Sequence, residues 1–173
     1  MPATLRAFAT IVVTIGSIVF AMPSVAAATP GERQARIDKE FQAALVKVDA
    51  AQRELQNGRP EAFKALWSNA DDVTLSGGFG GTIEKGWDQV GRRLDWVGTQ
   101  FSNGTNTIER IVAKANGSIG YVIQIERVRF QVPGQTSQST RDYRVTMLFR
   151  REPEGWRIVH RQADSQMTKA APQ

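Results

Sequence analysis

The C-terminal half of the chain carries four stretches in which apolar and polar residues alternate, and turn signals separate them. Alternation with a period of two is typical of strands that bury one face. Asn116-Gly117 is the preferred pair for a two-residue hairpin, and Pro153-Glu154 precedes a glycine at the last reversal. Short connections join antiparallel neighbours, so the pattern predicts a sequential meander. The predicted strands cover roughly 106–115, 118–131, 140–151 and 155–164.

Three amphipathic helices are predicted before these strands. In the first, apolar residues recur at steps of three, four and seven and end near Asn57-Gly58, a pair typical of a helix C-terminus. Pro60 opens a short second helix, and a third follows Gly86. Neither a helix layer nor a sheet can bury its apolar side alone, so we expect an α+β fold with the helices across one face of a curved sheet. The first stripe is Ile37, Phe41, Leu45, Val48 and Leu55, and the third is Trp87, Val90, Leu94, Val97 and Phe101.

Alternation in the last two strands predicts which of their side chains face the helices. Centring the final turn on Pro153-Glu154 pairs Met147 with His160 and places both on the more apolar face. We therefore expect His160 to point inward and Arg161 to point outward. The second predicted strand fits either orientation, so it leaves open whether Glu126 is buried.

Residues 1–28 have the pattern of a secretory signal peptide. Arg6 is the only charge, an apolar run covers Ala7–Met22, and small residues lead up to Ala28. The run counts 16 residues, fewer than the roughly 20 of a membrane-spanning helix, which favours a cleaved signal over an anchor. We expect a periplasmic or secreted protein with no stable membrane insertion after cleavage. The predicted divisions are a signal peptide over 1–28, a linker over 29–35, a domain over 36–165 and a tail over 166–173.

Composition excludes several kinds of chemistry. The chain has no cysteine and one histidine, so it offers no disulfide, no thiolate ligand and no His-rich zinc site, and we expect neither a metal nor a cofactor. The formal net charge is +5, and basic residues concentrate between Arg127 and Arg161. Arginines that alternate along strands are typical of a solvated outer face, and no aromatic residues interleave with them, so we expect no nucleic-acid partner.

Several local motifs are specific enough to compare with known families. They are Trp67, Asp72-Val73-Thr74, the Gly77–Gly81 run, Gly86, Arg144-Val145-Thr146 and the block 155–164. In this combination they resemble the SnoaL-like branch of the nuclear transport factor 2 (NTF2-like) and ketosteroid isomerase superfamily, over roughly residues 36–164. The resemblance implies a cone-shaped cavity between a curved antiparallel sheet and three helices, and a homodimer. Gln162 stands where many relatives have a second histidine.

We expect the protein to bind a small, largely apolar ligand in that cavity. The alternative is an enzyme of the isomerase, cyclase or hydrolase type, in which His160 transfers protons together with Glu126 or Asp164. A third hypothesis is a structural or dimerisation module. Two properties separate these: whether a carboxylate reaches His160, and whether the cavity approaches the roughly 300–1,000 Å³ of common ligand sites. The candidate ligand-binding residues are Trp67, Trp96, Phe79, Tyr143, Met147 and Gln162.

Removal of residues 1–28 tests the signal-peptide prediction. The truncated chain should stay soluble and keep the thermal midpoint of the full chain, because no residue of the predicted apolar stripes precedes Ile37. Fractionation after lysis and a thermal melt followed by circular dichroism measure this. Membrane retention of the truncated chain would contradict the prediction.

Overall fold

Helices cover one face of a six-stranded sheet, in the α+β arrangement that the sequence predicts. The computed structural model describes residues 28–169. Within that range no helix has both the length and the apolar character needed to span a bilayer. The helices are α1 (Pro30–Leu55), α2 (Glu61–Lys64) and α3 (Trp87–Gly98), and the strands are β1 (Thr74–Ser76), β2 (Glu84–Lys85), β3 (Ser102–Asn116), β4 (Ile119–Gln131), β5 (Gln138–Glu152) and β6 (Gly155–Asp164).

Helix α1 begins earlier than the sequence analysis predicts. The Thr29 hydroxyl accepts a hydrogen bond from the backbone N–H of Glu32 at 3.2 Å, and the Glu32 carboxylate accepts one from the backbone N–H of Thr29 at 2.8 Å. Pro30 occupies the first turn, where a missing N–H leaves no hydrogen bond unmade. The prediction of a linker over 29–35 is therefore wrong, because this capping box starts the helix at Pro30.

The predicted terminal segments fall only partly within the described range. Residues 1–27 of the predicted signal peptide lie outside it, so that prediction stays untested. Of the predicted tail, residues 166–169 are described and contain no helix or strand.

The four long strands form the predicted antiparallel meander. Across the sheet the strand order is β2-β1-β6-β5-β4-β3, and β3 to β6 each pair antiparallel with their neighbours along the chain. Strand β1 runs parallel to β6, with Thr74 beside His160. This pairing brings the glycine-rich segment after β1 close to the inner face of the meander.

A β-bulge at Val159 changes which residues of β6 face the helices. The predicted register holds as far as Ile158, opposite Phe149, and Val159 is then an extra residue that has no partner of its own on β5. A shift of one residue exchanges the two faces of a strand, so Arg161 takes the inward position and His160 the outward one. The predictions of an inward His160 and an outward Arg161 are wrong for this reason.

Aromatic rings hold α1 against the C-terminal strands. The ring of Phe41, which is 1% exposed, meets the rings of Phe149 and Trp156 edge-on at centroid distances of 5.2 Å and 5.0 Å. Gly120 of β4 lies directly beneath the same ring, and a Cβ at that position would overlap it. The predicted apolar stripe of α1 is buried. This packing fixes the distance between α1 and the sheet, and so the position of Gln52, about three turns after Phe41.

The outer face of the sheet exposes a group of large apolar side chains, which we call the outer patch. Tyr121 and Ile123 are 38% and 41% exposed, and Leu148 lies beside Tyr121. Ion pairs such as Arg127 with Glu109 flank the group. Exposed apolar residues gathered on one face are typical of a protein contact surface. The outer patch comprises Ile119, Tyr121, Ile123 and Leu148.

Candidate functional site

A cavity lies between the helices and the inner face of the sheet. Its free volume is about 60 Å³, which at roughly 30 Å³ per water molecule is room for about two waters. Apolar side chains form most of its wall, and polar groups enter it from α1 and from strands β4 to β6. The polar groups are Gln52, Gln56, Glu126, Tyr143 and Arg161, and the apolar lining includes Leu55, Phe63, Leu75, Leu94, Phe101 and Val128.

Glu126 is the centre of the polar group. It is 1% exposed, and its Oε1 accepts hydrogen bonds from Gln52 Nε2 at 2.8 Å, from Gln124 Nε2 at 2.6 Å and from Arg161 Nη1 at 3.0 Å. Its Oε2 accepts one from Arg161 Nη2 at 2.8 Å. The guanidinium therefore binds the carboxylate in a bidentate geometry, with two parallel hydrogen bonds, which is the strongest arrangement for this pair.

The environment of Glu126 keeps its carboxylate ionised. Burial alone would raise the pKa of Glu126, but the charge of Arg161 and the hydrogen bonds from Arg161, Gln52 and Gln124 outweigh burial and lower it. A carboxyl group with a lowered pKa is a weak base and is not protonated at neutral pH. Glu126 is thus poorly suited to accept or supply a proton in a reaction.

The glutamine side chains that reach Glu126 have fixed orientations. A carboxylate only accepts hydrogen bonds, so Gln52 and Gln124 must each turn the NH₂ end of the amide toward it and the carbonyl oxygen away. Both carbonyl oxygens, and that of Gln56, are buried and have no hydrogen-bond partner among residues 28–169. An unsatisfied buried acceptor costs about 1–3 kcal/mol. Gln52 and Gln56 line the cavity, so two of these acceptors belong to its wall.

The glycine-rich segment after β1 closes one side of the cavity with Phe79. The ring of Phe79 packs against Trp96 and Phe101 at centroid distances of 5.4 Å and 5.5 Å. The guanidinium carbon of Arg141 lies 4.7 Å from the centre of the Phe79 ring, a cation–π distance. Phe79 is therefore held by contacts with α3, with the residue that precedes β3 and with β5, although its own segment consists mostly of glycine.

Tyr143 contributes a neutral phenol to the same side. Its ring lies against Gly78, and a Cβ on Gly78 would overlap that ring, so this position accepts only glycine without displacing Tyr143. Burial raises the pKa of Tyr143, and the positive charge of Arg141 opposes this only in part. The hydroxyl stays protonated at neutral pH and can donate as well as accept a hydrogen bond.

The predicted ligand-binding residues separate into two groups. Phe79 and Tyr143 line the cavity. Trp67 is 2% exposed and packs in the core outside the lining, because its segment pairs with β6. Trp96 is 42% exposed and covers the outside of Phe79. Met147 is buried without reaching the cavity, so placing these three residues in the lining is wrong.

The residues predicted for proton transfer do not come together. Glu126 faces the cavity, but Asp164 lies on the outer face, where its Oδ1 is 2.6 Å from Nη2 of Arg144. Gln162, predicted to line the cavity, is exposed on the same outer face. Both placements follow from the bulge, which exchanged the faces of β6 before these residues. His160 shares the outward orientation.

His160 has a local hydrogen bond instead of a cavity partner. Its Nδ1 lies 2.8 Å from Oγ1 of Thr74 on the neighbouring strand β1. Burial lowers the pKa of His160, so the imidazole is neutral at pH 7. Within residues 28–169 no carboxylate hydrogen-bonds to it, and the predicted acid–base pair of His160 with Glu126 is not assembled.

Sequence reasoning missed Arg161, Gln52 and Gln56. Gln52 falls at a stripe position of α1, between Val48 and Leu55, and a polar residue within an apolar stripe is the signal that could have identified it. Gln56 follows one turn later. Arg161 gave no such signal, because its inward position depends on the bulge.

The family model described as a SnoaL-like domain matches residues 44–167. No curated protein matches the chain.

Three solved structures share the fold at low sequence identity. An NTF2-like superfamily protein from Salmonella enterica serovar Typhimurium is 16% identical, with 79% of this chain and 95% of that chain covered and a TM-score of 0.66. A candidate dehydratase of the NTF2-like family from Streptomyces avermitilis is 15% identical, with 78% and 99% covered and a TM-score of 0.65. A candidate calcium/calmodulin-dependent protein kinase II association domain from Xanthomonas campestris is 16% identical, with 83% and 95% covered and a TM-score of 0.62. At these identities the likeness concerns the fold alone.

Substitution of Glu126 tests the buried ion pair. Glu126→Gln keeps the shape of the side chain but leaves the guanidinium of Arg161, which is 12% exposed, without a counter-charge. The free energy of unfolding should fall by about 3–5 kcal/mol in urea denaturation, and the double variant Glu126→Gln/Arg161→Met should regain most of it. Glu154→Gln, on an exposed turn, is the control. A loss below about 1 kcal/mol would contradict the assignment.

The same variants have a defined pH dependence. The pKa of Glu126 is lower in the folded state than its ordinary value of 4.5, so the unfolded state binds the proton more readily. The stabilisation is therefore present above pH 4.5 and is lost as the pH falls through the lowered folded-state pKa. Glu126→Gln should lose less stability than the parent chain over that acid range.

Proposed function

The chain belongs to the SnoaL-like family of the NTF2-like superfamily, and on this basis we propose that its cavity binds a small organic molecule with a largely apolar body. The observation that supports this proposal is the distribution of apolar and polar side chains around the cavity. Apolar side chains form most of the wall, and the polar groups are confined to one cluster around Glu126. A mostly apolar concave site with a few convergent polar groups is the usual form of a small-molecule site.

Cavity size limits the ligand, and it does not reach the volume that the sequence analysis set for separating a ligand site from a structural module. The free volume of about 60 Å³ is well below the roughly 300–1,000 Å³ of sites for drug-sized molecules. It is also less than half of the roughly 150 Å³ of an apolar cavity that holds one benzene molecule, so a ligand with a single small ring requires part of the wall to move outward. Phe79 lies between two pairs of glycines, so the backbone on either side of it has more conformational freedom than the rest of the wall.

Binding is favoured over proton-transfer catalysis. The Glu126 carboxylate is held ionised and already accepts four hydrogen bonds. His160, the only histidine, faces away from the cavity. A general acid or base needs access to the ligand and a pKa near the working pH, and neither residue meets both requirements.

We further propose that the protein acts in the periplasm or outside the cell. The support is the basic, apolar and small-residue pattern of residues 1–28. A soluble binding protein in that compartment would meet small organic molecules before they reach the cytoplasm.

Binding of 4-fluorotoluene to the full chain, followed by ¹⁹F NMR line broadening, tests the cavity proposal. We expect saturable binding, and we expect Ala163→Leu and Val97→Phe to abolish it because both side chains extend into the cavity. Ala113→Leu adds the same atoms to a partly buried site away from the cavity and is the control. Equal binding by the parent chain and both cavity-filling variants would contradict the proposal.

We propose a second copy of the chain as the occupant of the outer patch. A two-fold dimer places the same surface of both protomers in contact, so that surface must complement itself. The outer patch is apolar at its centre, and ion-paired arginines and acids flank it, including Arg127 with Glu109 and Arg144 with Asp164. Charges of both signs around an apolar centre can face their own copy without net repulsion.

Light scattering after size exclusion tests the dimer. The full chain should have the mass of two copies, and Ile123→Glu should have the mass of one, because it places a charge at the centre of the outer patch. Val46→Glu is the control, since Val46 is 69% exposed on α1 and lies outside that surface. A parent chain that is monomeric at tens of micromolar would overturn the dimer proposal.

A further inference from the structure

We propose that the cavity selects a ligand whose polar end is a hydroxyl or amino group, which donates a hydrogen bond to Oε1 of Gln52. This inference rests on the proposed function, because it names the chemistry of the molecule that the cavity would bind. It concerns the side of the cavity at which α1 meets β4 and β6.

The amide of Gln52 is oriented by its neighbour. Its Nε2 donates to Oε1 of Glu126 at 2.8 Å. Because Glu126 also holds Arg161 through two hydrogen bonds, it is a carboxylate, and a carboxylate offers no hydrogen to Gln52. The carbonyl oxygen of Gln52 is therefore the end that is left over, and rotating the amide by half a turn would break an existing hydrogen bond.

That carbonyl oxygen lacks a partner in the part of the chain that the structure describes. The Gln52 side chain is 2% exposed and lines the cavity. A buried acceptor is normally satisfied by protein or by ordered water, so the group that pairs with it enters the cavity and carries an N–H or O–H. In the empty cavity a water molecule can do this, and a ligand that displaces the water has to supply the same donor. Gln56, one turn along α1, adds a second buried carbonyl oxygen on the same wall.

The remaining polar groups of the cavity narrow the choice of ligand. Arg161 commits Nη1 and Nη2 to Glu126, so it is not free to form a bidentate contact with a ligand carboxylate. A ligand carboxylate would also face the carbonyl oxygens of Gln52 and Gln56, which repel it. A hydroxyl fits both kinds of neighbour, since it can donate to Gln52 and accept from the phenol of Tyr143.

Gln124 supplies a matched control within the same cluster. It also donates Nε2 to Oε1 of Glu126, at 2.6 Å, and it also keeps an unpaired buried carbonyl oxygen. Unlike Gln52, it does not line the cavity. Substitution of Gln124 thus removes the hydrogen bond to Glu126 without removing a cavity acceptor.

The experiment compares four probes of similar size on the full chain: 4-fluorotoluene, 4-fluorophenol, 4-fluoroaniline and 4-fluorobenzoate. Dissociation constants come from ¹⁹F NMR titration of the parent chain, Gln52→Met and Gln124→Met. We expect 4-fluorophenol and 4-fluoroaniline to bind about ten-fold or more tightly than 4-fluorotoluene, since a site built to accept a hydrogen bond discriminates against the analogue that lacks the donor. That preference should disappear in Gln52→Met and persist in Gln124→Met.

A second measurement does not depend on the stability of the variants. In the ¹⁵N-labelled parent chain, 4-fluorophenol should shift the side-chain amide signals of Gln52, and 4-fluorotoluene should leave them nearly unchanged. Equal affinities for 4-fluorotoluene and 4-fluorophenol, tightest binding of 4-fluorobenzoate, or the same loss of preference in both glutamine variants would overturn the inference while leaving the cavity proposal intact. Binding of none of the four probes would overturn the proposed function itself and this inference with it.

Discussion

The ion pair of Glu126 with Arg161 is the interaction on which the arrangement of the cavity depends. A carboxylate with 1% exposure is unfavourable unless a positive charge and hydrogen-bond donors replace the water that it has lost. Arg161 supplies the charge from β6, and Gln52 and Gln124 supply donors from α1 and β4. Helix and strands are thereby tied at one point by contacts whose geometry is directional. The packing of apolar side chains elsewhere in the core has no comparable directionality.

The bulge at Val159 and this ion pair require each other. The bulge turns Arg161 toward the helices, and a guanidinium buried there without an acid would be strongly unfavourable. The burial of Glu126 in turn depends on the positive charge of Arg161, together with the hydrogen bonds from Gln52 and Gln124. A buried pair of this kind adds little net stability compared with apolar residues of the same size, but it penalises every arrangement that separates the two charges. The ion pair therefore favours the observed register of β6 against β5 over registers shifted by one residue.

Much of the fold could be predicted from the sequence, because helix and strand periodicity are local properties. The stripe of α1 and the meander of four strands are predicted correctly. The turn of the first hairpin is predicted one residue too early, because the turn is Gly117-Ser118 and Asn116 pairs with Ile119. The start of α1 is not predicted correctly, although Thr29 and Glu32 have the spacing of a capping box. The apolar stripe begins only at Ile37, about two turns after Pro30, so the stripe alone does not indicate where the helix starts.

The candidate site was harder to predict, because it depends on pairings between distant residues. Ile158 and Val159 interrupt the alternation of β6 with two consecutive apolar residues. That interruption does not by itself show that the strand contains an extra residue, because the register depends on the partner strand. A register without the bulge therefore places His160 inward and Arg161 outward, which is the reverse of their positions in the structure. Glu126 was named as a candidate with its orientation open, and only its partner on β6 explains why it is buried. The inward orientation of Gln52 could be predicted from the sequence, because Gln52 is a polar residue at a position of the apolar stripe.

The bulge also affects how residues are matched between this chain and its relatives. An alignment without gaps through 155–164 assumes that equivalent columns point the same way, and here that assumption holds only as far as Ile158. In a relative whose last strand lacks the extra residue, the column of His160 would face the cavity and the column of Arg161 would face solvent. A histidine conserved in that column across the family could thus occupy an interior position in one member and an exterior one in the next. Functional roles transferred through this strand need superposed backbones, because residue identity at a column does not reveal the side of the sheet on which it lies.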